Sequence, residues 1–141
     1  MELPVSKYHP DPVATGSVEA NDGKPCLCCN RIRGYIYTGP AYSEKFHYLS
    51  GCLCPWCIAD GSAAKRFQAV FTDTGELDGL PGEVCLELET RTPGFNGWQQ
   101  EHWLTCCGDA AAYLGTTGND PSAYRFRCLH CGKALTYTDE S

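Results

Sequence analysis

The sequence predicts a small α+β fold whose two lobes are each held together by a cluster of cysteines. Three observations predict it. First, Cys-x-x-Cys pairs recur along the chain, in Pro25-Cys26-Leu27-Cys28-Cys29-Asn30, in Cys54-Pro55-Trp56-Cys57 and in Cys128-Leu129-His130-Cys131, with an adjacent doublet at Cys106-Cys107. Second, short stretches rich in β-branched and aromatic residues stand beside these pairs. Third, the middle pair leads directly into a stretch with helical character. A tight turn at Cys-x-x-Cys aims both sulfurs at one point, which suits a tetrahedral zinc ion. One such pair is weak support for metal; three pairs and a doublet are strong support.

Composition narrows the class. Eleven cysteines in 141 residues is several times ordinary usage. A secreted chain would join them as disulfides, whereas an intracellular one would use them as metal ligands. The count is odd, which fits a closed set of disulfides poorly. The opening Met-Glu-Leu-Pro-Val-Ser-Lys-Tyr-His-Pro-Asp-Pro has no basic region followed by an apolar run, so the expected compartment is the cytoplasm. No apolar run is long enough to span a bilayer. The formal charge is −6, and each four-thiolate zinc site would add about two further negative charges. An acidic chain repels nucleic-acid phosphates and favours a basic partner.

In chain order, residues 1–24 read as an extended arm. Each proline of Tyr8-His9-Pro10-Asp11-Pro12 forces its predecessor out of helical geometry, and a short strand is expected around residues 15–19. Tyr8 and His9 read as residues packed along a sheet rather than as a site. The first lobe is expected over residues 25–80. After the knuckle at Cys26, the run Arg31-Ile32-Arg33-Gly34-Tyr35-Ile36-Tyr37-Thr38 reads as a strand, and residues 41–49 as a weaker return strand. The second knuckle then precedes a helix capped by Asp60 or Ser62 and running over residues 63–70, with Phe67, Val70 and Phe71 on its apolar face.

This order is that of a treble-clef zinc finger. A helix N-terminus offers free N–H groups and a partial positive charge that stabilise thiolates. Cys26, Cys29, Cys54 and Cys57 are the expected ligands of a first zinc ion, with Cys28 and Cys52 as competitors.

The second lobe is expected over residues 81–141, packed on the first in a single globular unit. Glu83-Val84-Cys85-Leu86-Glu87-Leu88-Glu89 fits a strand or a helix, and the Pro81 opening favours helix. Cys85 should face the core. Residues 91–97 are turn-rich, and residues 98–105 read as a strand. Asp109 can cap a short helix over residues 110–114 that ends at Gly115. Residues 124–127 and 133–138 read as strands on either side of the last pair, placing it at a hairpin turn as in a zinc ribbon. Cys106, Cys107, Cys128 and Cys131 are the expected ligands of a second ion, with His102 and His130 as alternatives.

The chain resembles the CbrC family of small bacterial cysteine-rich proteins. The resemblance is carried by Tyr8-His9-Pro10-Asp11-Pro12 with Thr15-Gly16, by Arg33-Gly34-Tyr35-Ile36-Tyr37-Thr38-Gly39-Pro40, by Cys54-Pro55-Trp56-Cys57-Ile58-Ala59-Asp60-Gly61-Ser62-Ala63, and by Arg91-Thr92-Pro93-Gly94-Phe95 with Trp98-Gln99. It runs from about residue 7 onward. The family pattern has a His-Cys pair and a further Cys where this chain has Cys106-Cys107 and Ala111, so the second ligand set stays open. The resemblance implies a role in colicin tolerance or toxin immunity.

Four functions follow. The favoured one is a non-enzymatic zinc protein that binds a protein partner such as a basic toxin domain, with the stretch from Arg91 to Phe95 and the side chains of Trp98 and Trp103 as a contact patch. A zinc hydrolase or deaminase is the second, but Pro-Cys-x-x-Cys lacks its upstream His-x-Glu, and no His-Glu-x-x-His occurs. A thiol redox protein using Cys54 and Cys57 is the third, and a nucleic-acid finger using Arg31, Arg33, Arg125 and Arg127 the fourth. No catalytic residue is assigned.

Overall fold

The computed structural model describes residues 2–75, 77, 79–96, 102–116 and 123–138. Over these the chain is a small α+β protein with two four-cysteine clusters. The arm ends in β1 (Val18–Asn21), which pairs antiparallel with β2 (Gly34–Tyr37), so the first knuckle sits in their connection. The expected return strand over residues 41–49 does not form. There the backbone makes one isolated bridge, Tyr42 to Val70. β2 already has β1 on one edge, and Tyr37 binds Leu53 and Gly51 through its own N–H and C=O. Residues 44–48 stay exposed.

The expected helix over residues 63–70 is two short ones, α1 (Pro55–Ala59) and α2 (Ser62–Phe67). Gly61, at φ 83°, breaks the run between them, and Gln68, at φ 50°, ends the second before Val70. Neither Asp60 nor Ser62 caps α2 as expected: Gly61 is the N-cap, with no side-chain cap bond, and Asp60 Oδ1 instead braces the turn between the helices, accepting from the Ser62 N–H at 2.8 Å and the Ser62 hydroxyl at 2.6 Å. Phe67 faces the core, with Ala63 and Ala64 beside it, while Lys65, Arg66 and Gln68 are exposed.

α3 (Gly82–Thr90) is the helix favoured over the strand. It buries Leu88 and leaves Cys85 half-buried rather than in the core.

The expected helix at residues 110–114 is contradicted. The segment enters two strands, β4 (Asp109–Ala110), paired with β3 (Thr105–Cys106), and β5 (Ala112–Thr116). Alanine propensity favours a helix there, but burial alternates from Tyr113 to Thr116, a period of two, and Tyr113 lies stacked on Phe95 with ring centroids 4.1 Å apart. Tertiary packing of that ring outweighs local propensities worth tenths of a kcal/mol, roughly. β6 (Ala123–Arg127) and β7 (Ala134–Thr138) complete an antiparallel sheet of order β5-β6-β7. The third knuckle lies in the β6–β7 turn, as the sequence predicts. The strand expected over residues 98–105 lies outside the described residues as far as Glu101, and its remainder is irregular up to Thr105.

Two hydrophobic clusters result. One gathers Val18, Tyr37, Leu53, Ile58, Phe67 and Phe71 around Cys26, Cys54 and Cys57. The other gathers Tyr8, Leu88, Phe95, Trp103, Tyr113, Tyr124 and Phe126. Phe95 and Trp103 are therefore core residues, not parts of an exposed contact patch; Arg91 is exposed, and Trp98 lies outside the described residues. The clusters meet where the Gly94 N–H donates to the Tyr37 hydroxyl at 3.0 Å.

The arm ties into both clusters. His9 is fully buried, its Nδ1 2.6 Å from the Pro93 carbonyl and its Nε2 2.7 Å from the Thr15 hydroxyl. A carbonyl can only accept, so Nδ1 carries the proton and Nε2 accepts from Thr15. Burial pushes the imidazole down to about 4, against the opposing bond to Pro93. The folded state thus resists a proton that the unfolded chain accepts near 6.5. The His9 contribution is complete above about pH 6.5 and fades as pH falls toward 4. Compared with His9→Asn, the wild-type stability advantage should shrink by about 1.4 kcal/mol for each pH unit below 6.5. Denaturant midpoints of both proteins at pH 7.5, 6.0 and 5.0 check this; parallel curves would refute it.

Candidate metal centres

The first centre is built from two local turns. In the first knuckle, Asn30 N–H bonds the Cys26 carbonyl at 2.8 Å, and Asn30 itself takes a left-handed φ of 61°. Cys26 N–H bonds the Arg31 carbonyl at 2.9 Å. This winding aims the Cys28 N–H at the Cys26 sulfur, 3.3 Å away. In the second, Cys54 is the N-cap of α1 and Pro55 occupies the first turn, where its missing N–H costs nothing. Cys54 N–H also reaches the Cys26 sulfur at 3.3 Å, and Cys57 follows from inside the helix. The sulfurs of Cys26, Cys29, Cys54 and Cys57 all lie within 4.8 Å of one another. Cys26 to Cys57 is 3.9 Å and Cys29 to Cys54 is 4.0 Å.

These distances discriminate between chemistries. With Zn–S bonds near 2.3 Å, the corners of a tetrahedron lie about 3.8 Å apart, whereas a disulfide brings sulfurs to about 2.05 Å. The spacing is that of ligands around one ion. Among themselves the sulfurs share charge unequally. Cys26 is held down to about 4 by a hydrogen bond from the Cys54 thiol and by backbone N–H groups, and burial pushes Cys57 up to about 12. The Cys54 thiol, as donor to Cys26, is raised. A divalent cation at their centre would resolve this by stabilising all four as thiolates.

The second centre joins the β3–β4 hairpin to the β6–β7 knuckle. Cys106, Cys107, Cys128 and Cys131 again have all four sulfurs within 4.8 Å, with Cys106 at 3.7 Å from Cys107 and 3.8 Å from Cys131. In the knuckle, Cys128 N–H bonds the Lys133 carbonyl at 2.9 Å, and the His130 and Cys131 N–H groups point at the Cys128 sulfur, both at 3.4 Å. Those N–H groups hold the Cys128 thiol down to about 6. Adjacent cysteines would normally face opposite sides of a strand. Cys107 escapes this because it and Gly108 both take left-handed backbone, φ 57° and 71°, in a two-residue hairpin turn.

A family model described as an uncharacterised protein family, UPF0167, matches residues 3–121. The chain belongs to this family. The match takes in the first centre and the Cys106-Cys107 doublet and stops before Cys128. The UPF0167 protein PA1536 of Pseudomonas aeruginosa is 42% identical over 171 aligned positions, covering 94% of each chain. The UPF0167 protein Mb2317 of Mycobacterium bovis is 43% identical over 178 positions, covering 98% of this chain and 94% of the relative, and the UPF0167 protein MT2352 of Mycobacterium tuberculosis gives the same figures. No solved structure matches significantly.

In this UPF0167 chain the alternative ligands stand outside both groups of four. The Cys28 sulfur lies 3.8 Å from the Ser62 hydroxyl, Cys52 is half-buried, and His102 packs edge-on against Tyr137. His130 Nε2 is 2.8 Å from Asp109 Oδ2. The other carboxylate oxygen of Asp109 accepts from the Tyr8 hydroxyl at 2.7 Å. Burial pushes Asp109 up, but the bonds from Tyr8 and His130 outweigh it and hold the carboxyl below its ordinary value. Sequence reasoning missed this link between the arm and the second centre, although Tyr8 and Asp109 were each singled out. Partners 101 positions apart carry no local signal. Among the described residues, no helix is long and apolar enough to cross a membrane.

Proposed function

We propose that this chain is a non-enzymatic zinc protein whose two ions are structural. In this reading Cys26, Cys29, Cys54 and Cys57 form a treble-clef-like centre, and Cys106, Cys107, Cys128 and Cys131 a zinc-ribbon-like one. The observation that carries it is the all-thiol donor set, four sulfurs twice over at tetrahedral spacing. Four protein sulfurs close the coordination shell and leave no open position for a substrate or a reactive water, which is the mark of a structural site. When bound, the zinc ion supplies cross-linking and charge neutralisation. The chain's own residues do the rest: the N–H groups of Cys28 and Cys54 orient the Cys26 sulfur, and α1 presents its N-terminus to the site.

The role of this scaffold is to bind a protein partner, a basic toxin domain in the manner that the CbrC resemblance implies. The net charge of −6 supports a basic partner. Exposed apolar side chains at Leu27, within the first knuckle, and Ile32, just after it, supply contact area there. A pull-down of purified holoprotein against candidate nuclease domains tests this. Capture should weaken about tenfold between low and high salt, as charge-steered association does. No capture, or capture indifferent to salt, would refute it.

A further inference from the structure

The two centres are built alike but stand differently toward solvent. In the first, Cys26, Cys54 and Cys57 are buried and Cys29 is half-buried. In the second, Cys107 and Cys131 are exposed, Cys106 is half-buried, and Cys128 alone is buried. A groove lined by Lys7, Glu83, Glu87 and His130 opens beside Cys107. The Cys106 and Cys131 sulfurs, 3.8 Å apart, come from different hairpins. They can approach one another by small hairpin movements, without the contorted ring that a bridge between the neighbours Cys106 and Cys107 demands.

We propose that the second centre is a redox-labile metal site, which a peroxide-class oxidant empties by joining Cys106 to Cys131 while the first centre keeps its ion. This rests on the reading of both clusters as zinc centres. The exposed Cys131 thiolate attacks one peroxide oxygen, giving a sulfenic acid and releasing hydroxide. The Cys106 thiolate then attacks that sulfur, forming the S–S bond and expelling a second hydroxide. Two sulfurs lose two electrons in total, and the peroxide takes them up as two hydroxides that become water. Only Cys107 and Cys128, one exposed and one buried, would then remain as free thiolates, too few to hold a zinc ion in a four-sulfur shell. In the first centre the same chemistry is blocked because three of the four sulfurs are out of reach of solvent.

The experiment uses the purified zinc-loaded protein. Its zinc is counted first, then hydrogen peroxide is added while a chromophoric chelator reports free zinc and mass spectrometry maps disulfides. One of two equivalents should be released about tenfold faster than the other, following exposure, with a Cys106–Cys131 bridge as the product. A reductant should restore binding of the lost equivalent. Cys131→Ala, which starts with one equivalent, should release none in the fast phase. Release of both ions at one rate, release of neither, or a bridge within the first cluster overturns the proposal while leaving the zinc reading intact. Fewer than two equivalents before oxidant is added overturns the zinc reading itself.

Discussion

Cys57→Ser is expected to bind one zinc ion instead of two and to leave the first lobe unfolded. The hydroxyl that replaces the thiol is a poor ligand for a borderline-soft ion, and the site would keep three sulfurs, two of them buried. Structural zinc contributes on the order of 10 kcal/mol or more to folding in small metal-held domains. The whole stability of an ordinary domain is about 5–15 kcal/mol, so loss of the ion cancels most or all of it. The apolar cluster of this lobe is built around Cys26, Cys54 and Cys57, so apolar burial and metal binding fail together. Metal-to-protein stoichiometry and near-ultraviolet circular dichroism read the result. Cys85→Ser and Cys52→Ser, outside both groups, should keep two ions. A folded Cys57→Ser protein with two ions would refute the assignment.

Phe95→Ala should destabilise the protein by about 3–5 kcal/mol, the range for deleting a buried aromatic ring. Phe95 is 2% exposed. Its ring stacks on Tyr113 and stands 5.5 Å from Trp103, 5.5 Å from Tyr124 and 5.9 Å from Phe126, centroid to centroid. Alanine leaves a hole walled by four rings that cannot all close in, because three lie on paired strands and the fourth holds a fixed bond. Trp103 donates its indole N–H to the Ala111 carbonyl at 2.8 Å. Phe95→Leu, which fills part of the volume, should cost less than half as much. Denaturant midpoints with an unchanged slope would confirm a loss of native packing. The metal count should stay at two, which separates this effect from that of Cys57→Ser. A Phe95→Ala midpoint equal to wild type would mean that the ring does not hold the second cluster together.

How much of this was legible in the sequence depended on range. The thiol groups were legible because each Cys-x-x-Cys pair is a local turn whose spacing alone converges the sulfurs. The α3 helix and the strands flanking Cys128 and Cys131 were legible from pattern and from Pro81. The partner of β2 was not, since Gly34–Tyr37 could equally have paired forward, and only the fold selects Val18–Asn21. The sequence around Ala110 and Ala112 misled because alanine carries a helical propensity and no packing instruction, while the deciding contact is Tyr113 on Phe95. The Phe95 ring looked available for a partner because a turn-rich stretch gives no sign of being folded inward, and the Trp103 ring because a strand pattern alone does not say which of its faces is covered. The convergence of adjacent Cys106 and Cys107 rested on a left-handed residue that the sequence does not mark.

The arm has a consequence for how the chain is made. Val18 pairs with Tyr37 only 19 positions on, so β1 and β2 can come together early in synthesis. Tyr8 and His9 must wait for Tyr113, whose N–H bonds the Tyr8 carbonyl at 2.9 Å. At ribosomal rates that delay is roughly 5–20 s. For that interval the emerging polypeptide carries an unburied tyrosine and histidine ahead of a β1–β2 pair already formed, a window in which chaperones or premature association would act on its front end rather than on its middle.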